Sequence, residues 1–139
     1  MRLLTLRGRV KAGETKRLIV DDGRLTSAMK VIQFDVWARS INSGEDPECI
    51  LGLEYNMGNE WDAGDNRQIA WGAQTTSATS RIMGFNLIDP RHLVIQDLWI
   101  YNFADTEDAN YMIVLEPVTI SDDESIIHMI KERSQNASR

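Results

Sequence analysis

The most informative part of the sequence is the run HLVIQDLWIYNF (92–103), ADTEDAN (104–110) and YMIVLEPVTI (111–120). The first and third segments are rich in β-branched and aromatic side chains, which favour strands, and the acidic connection has the length of a hairpin loop. In the first segment apolar side chains occupy both odd-numbered and even-numbered positions, which point to opposite faces of a strand, and the main interruptions are Gln96 and Asp97. Both faces of this strand should therefore be at least partly covered. The run therefore predicts a long antiparallel hairpin in the centre of a β-rich domain.

The spacing of short strands along the chain predicts the architecture. Seven or eight strand-like segments recur at intervals of about ten to fifteen residues, separated by turns rich in Gly, Asn and Asp. This pattern is typical of an antiparallel β-sandwich. We expect an all-β fold with jelly-roll topology, and an up-and-down barrel is the alternative.

The N-terminal segment places two arginines on an outward face. In LLTLRGRV (3–10), Arg7 and Arg9 fall on the polar parity of a half-buried strand. A turn separates this strand from TKRLIV (15–20), so we expect the first thirty residues to form a hairpin. The two arginines are therefore candidate contact residues.

A tryptophan falls on the outward parity of a later strand. The segment from Lys30 to Ala38 is expected to place Ile32, Phe34 and Val36 inward, whereas Trp37 falls on the opposite parity. An outward tryptophan either lies under a loop or helix, or meets a partner. Trp37 is therefore a candidate interface residue.

One helix is predicted, near the C-terminal end of the sequence. In SDDESIIHMIKERSQ (121–135), Ser121 and Glu124 have the spacing of a capping box, and acidic residues precede basic ones along the helix dipole. The apolar stripe consists of Ile126, Ile127 and Ile130. We expect a short α-helix at about 122–133 that docks on the sandwich.

Length and composition favour one soluble domain. The chain has 139 residues and a mass of 15.8 kDa, which predicts a single domain spanning 1–139. The segment MRLLTLRGRV (1–10) lacks the apolar run of a secretory signal. No segment approaches the ~20 apolar residues that a membrane-spanning helix needs. We therefore expect no membrane partner, and an intracellular environment or a virus particle.

Charge is distributed unevenly along the chain, whose net charge is −6. Residues 1–39 carry nine Lys or Arg and four Asp or Glu, a balance of +5, whereas residues 40–139 carry six and seventeen, a balance of −11. Such asymmetry favours nucleic acid binding or attraction between copies, and solvated strand faces are the alternative. The pI of about 4.9 and the lack of a basic cluster interleaved with aromatics argue against nucleic acid.

Residues with catalytic chemistry are sparse. Cys49 is the only cysteine and shares its parity with Leu51 and Leu53, so a buried structural thiol is favoured over a nucleophile. His92 and His128 are the only histidines and fall in different predicted elements, which disfavours a paired metal or acid–base site. No Walker loop, nucleophile elbow, dinucleotide-binding glycine pattern or H-E-x-x-H motif is present. The sequence therefore predicts no enzyme, cofactor or resident metal.

The segment WDAGDNRQIAW (61–71) concentrates polar and aromatic side chains. Asp62, Asp65 and Asn66 offer oxygen ligands that a calcium ion could use. Their spacing does not match the EF-hand loop, and turns demand the same residue types, so we favour a turn without a metal.

Trp61 and Arg67 in this segment are the candidate contact residues, because tryptophan and arginine dominate the energetics of protein interfaces. Trp71 shares its parity with Ile69 and is expected to belong to the core. Trp61 lies in a Gly-rich loop and is the better candidate for a partner or a sugar.

Four segments together resemble small structural proteins encoded by bacteriophages, particularly environmental ones. They are DDGRLTSAMKVIQFDVW (21–37), WDAGDNRQIAW (61–71), DPRHLVIQDLWIYN (89–102) and ISDDESIIHMIKERSQ (120–135), and the resemblance extends over most of the chain. The resemblance implies a β-sandwich, often a jelly roll, that serves as a capsid, cement or spike component. Its location would be the virion, and the host cytoplasm during assembly.

The expected function is therefore that of a non-enzymatic virion structural protein, which associates with itself and docks to other virion proteins. The viral resemblance favours a homotrimer. The expected interface residues are Arg7, Arg9, Trp37, Trp61 and Arg67. The alternative function is a monomeric module that binds a ligand such as a carbohydrate, with Trp61 as the platform.

Overall fold

A computed structural model describes residues 3–20, 27–39, 46–76, 82–94 and 97–119, and these ranges contain eight β-strands and no helix. The strands are β1 (Leu4–Val10), β2 (Thr15–Leu18), β3 (Ser27–Ala38), β4 (Glu48–Gly52), β5 (Gln68–Thr76), β6 (Ile82–Ile88), β7 (Leu98–Asn102) and β8 (Ala109–Thr119). They form a three-stranded sheet of order β1-β8-β3 and a five-stranded sheet of order β2-β7-β4-β5-β6. Every pairing is antiparallel, so the predicted all-β antiparallel sandwich is confirmed.

The strand order is that of a jelly roll with one departure. In a jelly roll the chain folds as a long double ribbon, and here β1 pairs with β8, β2 with β7 and β4 with β5. The departure concerns β6, which is hydrogen-bonded to β5 in the five-stranded sheet. It also lies close to β3, where the amide Nδ2 of Asn86 donates to Oδ1 of Asp35 at 2.7 Å.

The two hairpins predicted from the sequence are wrong. Strands β7 and β8 belong to different sheets, and so do β1 and β2. In both cases the chain crosses from one sheet to the other, so that the apolar sides of consecutive strands face each other across the core. The predicted central position is nevertheless correct, because β7 lies between β2 and β4 and β8 lies between β1 and β3.

The connection between β7 and β8 is held by the side chain of Asn102, which is fully buried. Its Nδ2 donates to the carbonyl oxygens of Glu107 and Val10 at 2.8 and 3.3 Å, and its Oδ1 accepts from the amide of Ala104 at 3.1 Å. The backbone amide of Asn102 donates to the carbonyl of Glu14 at 3.1 Å. One residue therefore binds both the β1–β2 connection and the β7–β8 connection.

The core lies between the sheets, and the apolar side chains of both inner faces fill it. Its buried members include Val10, Val31, Phe34, Val36, Leu51, Ala70, Leu98, Ile100, Tyr111, Ile113 and Leu115. Cys49 lies among them and is fully buried, and burial raises the pKa of its thiol far above the ordinary value. The thiol is therefore protonated at neutral pH, as expected of a structural cysteine.

A β-bulge changes the predicted alternation in β3. The register of β3 against β8 shifts between Val31 and Gln33, so Val31 points into the core and Ile32 is 41% exposed. The prediction that Ile32 points inward is therefore wrong. Phe34 is buried as predicted, and Trp37 is 39% exposed on the outward side.

Two predictions from the sequence are not tested by these strands. The α-helix expected at about 122–133 lies outside the described residues, and the extent of the domain over 1–139 stays a prediction. In the part of the chain that the structure describes, no helix is long and apolar enough to cross a membrane.

Replacing Asn102 by Ala should lower the free energy of unfolding by about 2–4 kcal/mol, because two buried carbonyl groups and one amide lose their partner. Asn86→Ala is the matched control, since Asn86 is exposed and its side chain makes one hydrogen bond to the residues that the structure describes, worth about 1 kcal/mol or less. Urea unfolding followed by tryptophan fluorescence measures both. Equal losses in the two variants would show that Asn102 does not hold the crossing connections.

Candidate functional site

Three of the predicted interface residues lie together on the outer face of the three-stranded sheet. Arg9 and Trp37 both pair with Asn110 of the central strand, and Arg7 pairs with Met112 on the next row. These side chains line a groove of about 590 Å³, which we call the basic groove. Its lining residues are Arg7, Gly8, Arg9, Trp37, Asn110, Tyr111 and Met112. Strand alternation accounts for this arrangement, because the neighbouring side chains on β1, β3 and β8 point into the core.

An acidic side chain lies beside the basic groove, on the same face. Asp35 pairs with Met112 and therefore shares a cross-strand row with Arg7. Its two carboxylate oxygens accept hydrogen bonds from the side chains of Gln33 at 2.6 Å and Asn86 at 2.7 Å. Arg7 and Arg9 are both exposed, so their charges face solvent.

Trp61 and Arg67 lie elsewhere, in the loop of residues 53–67 on the outer side of the five-stranded sheet. The side chain of Gln68 fastens this loop: Nε2 donates to the carbonyl oxygens of Met57 and Glu60 at 3.0 Å. Oε1 of Gln68 accepts from the amide of Asp62 at 2.9 Å and from the indole of Trp71 at 2.7 Å. Nothing in the sequence distinguishes this glutamine, whose role appears only when the loop folds back on β5.

The guanidinium of Arg67 is bound inside the same loop. Nε donates to both carboxylate oxygens of Asp65 at 2.9 and 3.0 Å, Nη2 donates to one of them at 2.5 Å, and Nη1 donates to the carbonyl of Asn56 at 2.7 Å. The hydrogen bonds with Asp65 hold the pKa of Arg67 above its ordinary value. The structure thus gives Arg67 an internal partner, and its predicted contact with a neighbour stays a prediction.

The carboxylates considered as calcium ligands have hydrogen-bond partners within the loop. Both oxygens of Asp65 accept from Arg67, and Oδ1 of Asp62 accepts from the amide of Gly64 at 2.9 Å. These contacts are those of a turn closed by acidic side chains. Within the described ranges, no group of three or more His, Cys, Asp or Glu residues could hold a metal ion.

Trp61 is fixed in place and partly exposed. Its indole Nε1 donates to the carbonyl of Cys49 at 3.2 Å, its ring stacks on Phe85 with centroids 5.0 Å apart, and its ring meets the edge of Phe103 at 6.2 Å. Trp61 and Phe85 are 40% and 42% exposed, and Leu87 beside them on β6 is 56% exposed. Sequence reasoning missed Phe85 and Leu87, although their alternation along β6 would have placed them on one face.

Trp71 is only half buried, so its predicted place in the core is corrected. A Cβ on the next residue, Gly72, would lie 3.1 Å from Phe34 and Val36 of the opposite sheet, which shows that Gly72 points inward. Trp71 therefore points outward, where it pairs with Ile50 and bonds to Gln68. Ile69, on the same parity, is buried.

A second concave surface lies where β7 leaves the five-stranded sheet. We call this surface, whose volume is about 500 Å³, the acidic hollow. Its lining residues are Asp46, Glu48, Phe103, Ala104, Asp105, Thr106 and Glu107. Glu48 and Asp105 are exposed, whereas Glu107 is buried. The hollow is therefore a concave surface whose accessible charges are carboxylates.

The chain matches no protein-family model and no curated protein.

Gly52→Ala should displace the loop of residues 53–67. A Cβ at this position would overlap the sulfur of Met57 and would lie 2.5 Å from the carbonyl oxygen of Arg67. We expect a loss of about 1–3 kcal/mol in the free energy of unfolding and faster proteolysis within the loop. Gly84→Ala is the matched control, because a Cβ there would meet nothing within 4 Å. Identical proteolysis of the two variants would contradict this account of the loop.

Proposed function

We propose that this chain is a non-enzymatic virion structural protein, a capsid, cement or spike component that associates with itself and docks to other virion proteins. The observation that carries the proposal is the convergence of Arg7, Arg9 and Trp37 on one groove. These residues come from two strands that only the fold brings onto the same sheet face. Exposed tryptophan and arginine side chains in a shared depression are the usual centre of a protein interface.

The outer side of the five-stranded sheet supports the same function. Trp61, Phe85 and Leu87 leave an apolar surface open there, and Trp61 is held in one orientation by three contacts. A pre-ordered aromatic side chain loses little conformational entropy on binding, which favours its use as an anchor. A virion component with neighbours on more than one side requires such surfaces on both faces.

The alternative function is a monomeric carbohydrate-binding module with Trp61 as the platform. One face of the Trp61 ring is stacked on Phe85, and its indole N–H is bound to the carbonyl of Cys49. Sugar recognition also needs polar groups directed at the hydroxyls, and ligand sites combine an apolar wall with a few such groups. In this loop the side chains of Asp65 and Arg67 are instead bonded to each other, and the side chain of Gln68 is bonded to the loop backbone.

Assembly should depend on protein concentration, and reversing the charge of Arg7 or Arg9 to Glu should slow it and change its salt dependence. Exposed ion pairs contribute only about 0.2–1 kcal/mol each, so charge governs the rate and register of association more than its strength. Arg91→Glu is the matched control, because Arg91 is exposed and does not line the groove. Light scattering across protein concentration and salt measures the effect. A native chain that stays monomeric, and is absent from purified particles, would favour the ligand-binding alternative.

Trp37→Ala should weaken the assembled state itself, because burial of an aromatic side chain supplies most of the stabilisation at an interface. We expect about a tenfold or larger rise in the protein concentration needed for assembly, which corresponds to about 1.4 kcal/mol or more. Tyr55→Ala is the control, since Tyr55 is an exposed aromatic residue outside the groove. Equal effects of the two substitutions in sedimentation velocity would exclude the groove as the contact surface.

A further inference from the structure

We infer that the basic groove of one copy binds the acidic hollow of the next copy, in a head-to-tail contact. The inference rests on the proposed function and names the surface that the groove recognises. The two surfaces are complementary in charge: Arg7 and Arg9 are exposed in the groove, and Glu48 and Asp105 are exposed in the hollow. No acidic residue lines the groove, and no basic residue lines the hollow, among the residues that the structure describes.

The groove lies on the outer face of the three-stranded sheet, whereas the hollow extends from the outer face of the five-stranded sheet, at Glu48, along the connection 103–107. Glu48 points away from the core, because its neighbour Cys49 points into it and strand side chains alternate. Arg9 points outward from the other sheet, next to the buried Val10. Arg9 and Glu48 therefore point away from each other within one molecule, whereas they can meet between two copies.

A contact between two different surfaces of the same chain is heterologous, and it propagates into a closed ring or a filament instead of ending at a dimer. Both surfaces lie near the connection 103–108: Asn110 of the groove follows it in sequence, and Phe103 and Asp105 of the hollow belong to it. The contact would therefore place the same end of each sandwich against its neighbours.

Apolar side chains are available on both surfaces to exclude water from the ion pairs. Trp37 and Met112 lie in the groove, and Phe103 lines the hollow. Aromatic residues and methionine are enriched in the buried centre of interfaces, with charges at the rim. The charges would then set the register, and the apolar side chains would hold the contact.

The test uses three variants of the full chain. The groove variant carries Arg7→Glu and Arg9→Glu, the hollow variant carries Glu48→Lys and Asp105→Lys, and the swapped variant carries all four substitutions. The altered side chains of Arg7, Arg9, Glu48 and Asp105 are all exposed, so each variant should keep the native circular dichroism spectrum and melting temperature. Arg91→Glu and Glu116→Lys are single reversals outside both surfaces and serve as controls.

We expect the groove and hollow variants each to need about a tenfold or higher protein concentration to assemble, because like charges then face each other. A 1:1 mixture of the two should assemble near the native concentration, and so should the swapped variant alone, since opposite charges face each other again. Multi-angle light scattering measures all of these. The controls should behave as the native chain does.

Different outcomes separate this inference from the proposed function. If the native chain assembles but the swapped variant stays monomeric, the groove does not bind the hollow, and an acidic surface elsewhere or on another protein is its partner. If the hollow variant assembles as the native chain does, the inference is likewise overturned while the proposed function stands. If the native chain is monomeric at every concentration and absent from particles, both fail.

Discussion

The buried side chain of Asn102 is the interaction on which the two-sheet arrangement depends. Wherever the chain leaves one sheet for the other, its backbone amides and carbonyls lose the partners that a strand ladder would supply, and burial makes that loss costly. The side chain of Asn102 supplies such partners. Its Nδ2 donates to the carbonyl at the end of β1 and to one in the connection that follows β7, and its Oδ1 accepts from an amide of that connection. The pairing of β1 with β8 begins at this point, where Val10 lies opposite Ala109.

Alternation along single strands could be predicted from the sequence, because it depends only on neighbouring residues. The alternation predicts outward side chains for Arg7, Arg9 and Trp37 and an inward side chain for Phe34, in agreement with the structure. The pairing of strands could not be predicted in the same way. Strands β1 and β8 are separated by most of the chain, and a local pattern cannot show whether a short loop returns within a sheet or crosses to the other. The bulge that exposes Ile32 could not be predicted from the alternation of apolar and polar residues either.

In the loop of residues 53–67, too, local sequence patterns predict some features of the candidate site but not the contacts between distant residues. Exposure of Trp61 was predictable from its position in a Gly-rich loop, and the turn chemistry of Asp62 was predictable from residue type. The role of Gln68 was not, because four hydrogen bonds converge on it from positions up to eleven residues away. The partner of Arg67 lies only two residues from it, yet the sequence favours a solvent-directed arginine equally well.

Because of the strand order, the uneven distribution of charge along the sequence becomes a difference in charge between the two sheets. The basic first 39 residues supply β1 and β3, which flank β8 in the three-stranded sheet, whereas the five-stranded sheet takes four of its strands from the acidic remainder. A contact that joined two basic grooves or two acidic hollows would bring like charges together, and like charges oppose such a pairing. A heterologous contact meets no such opposition, because it joins the groove to the hollow. The strand order therefore supports the proposed pairing of groove with hollow over a contact between two like surfaces.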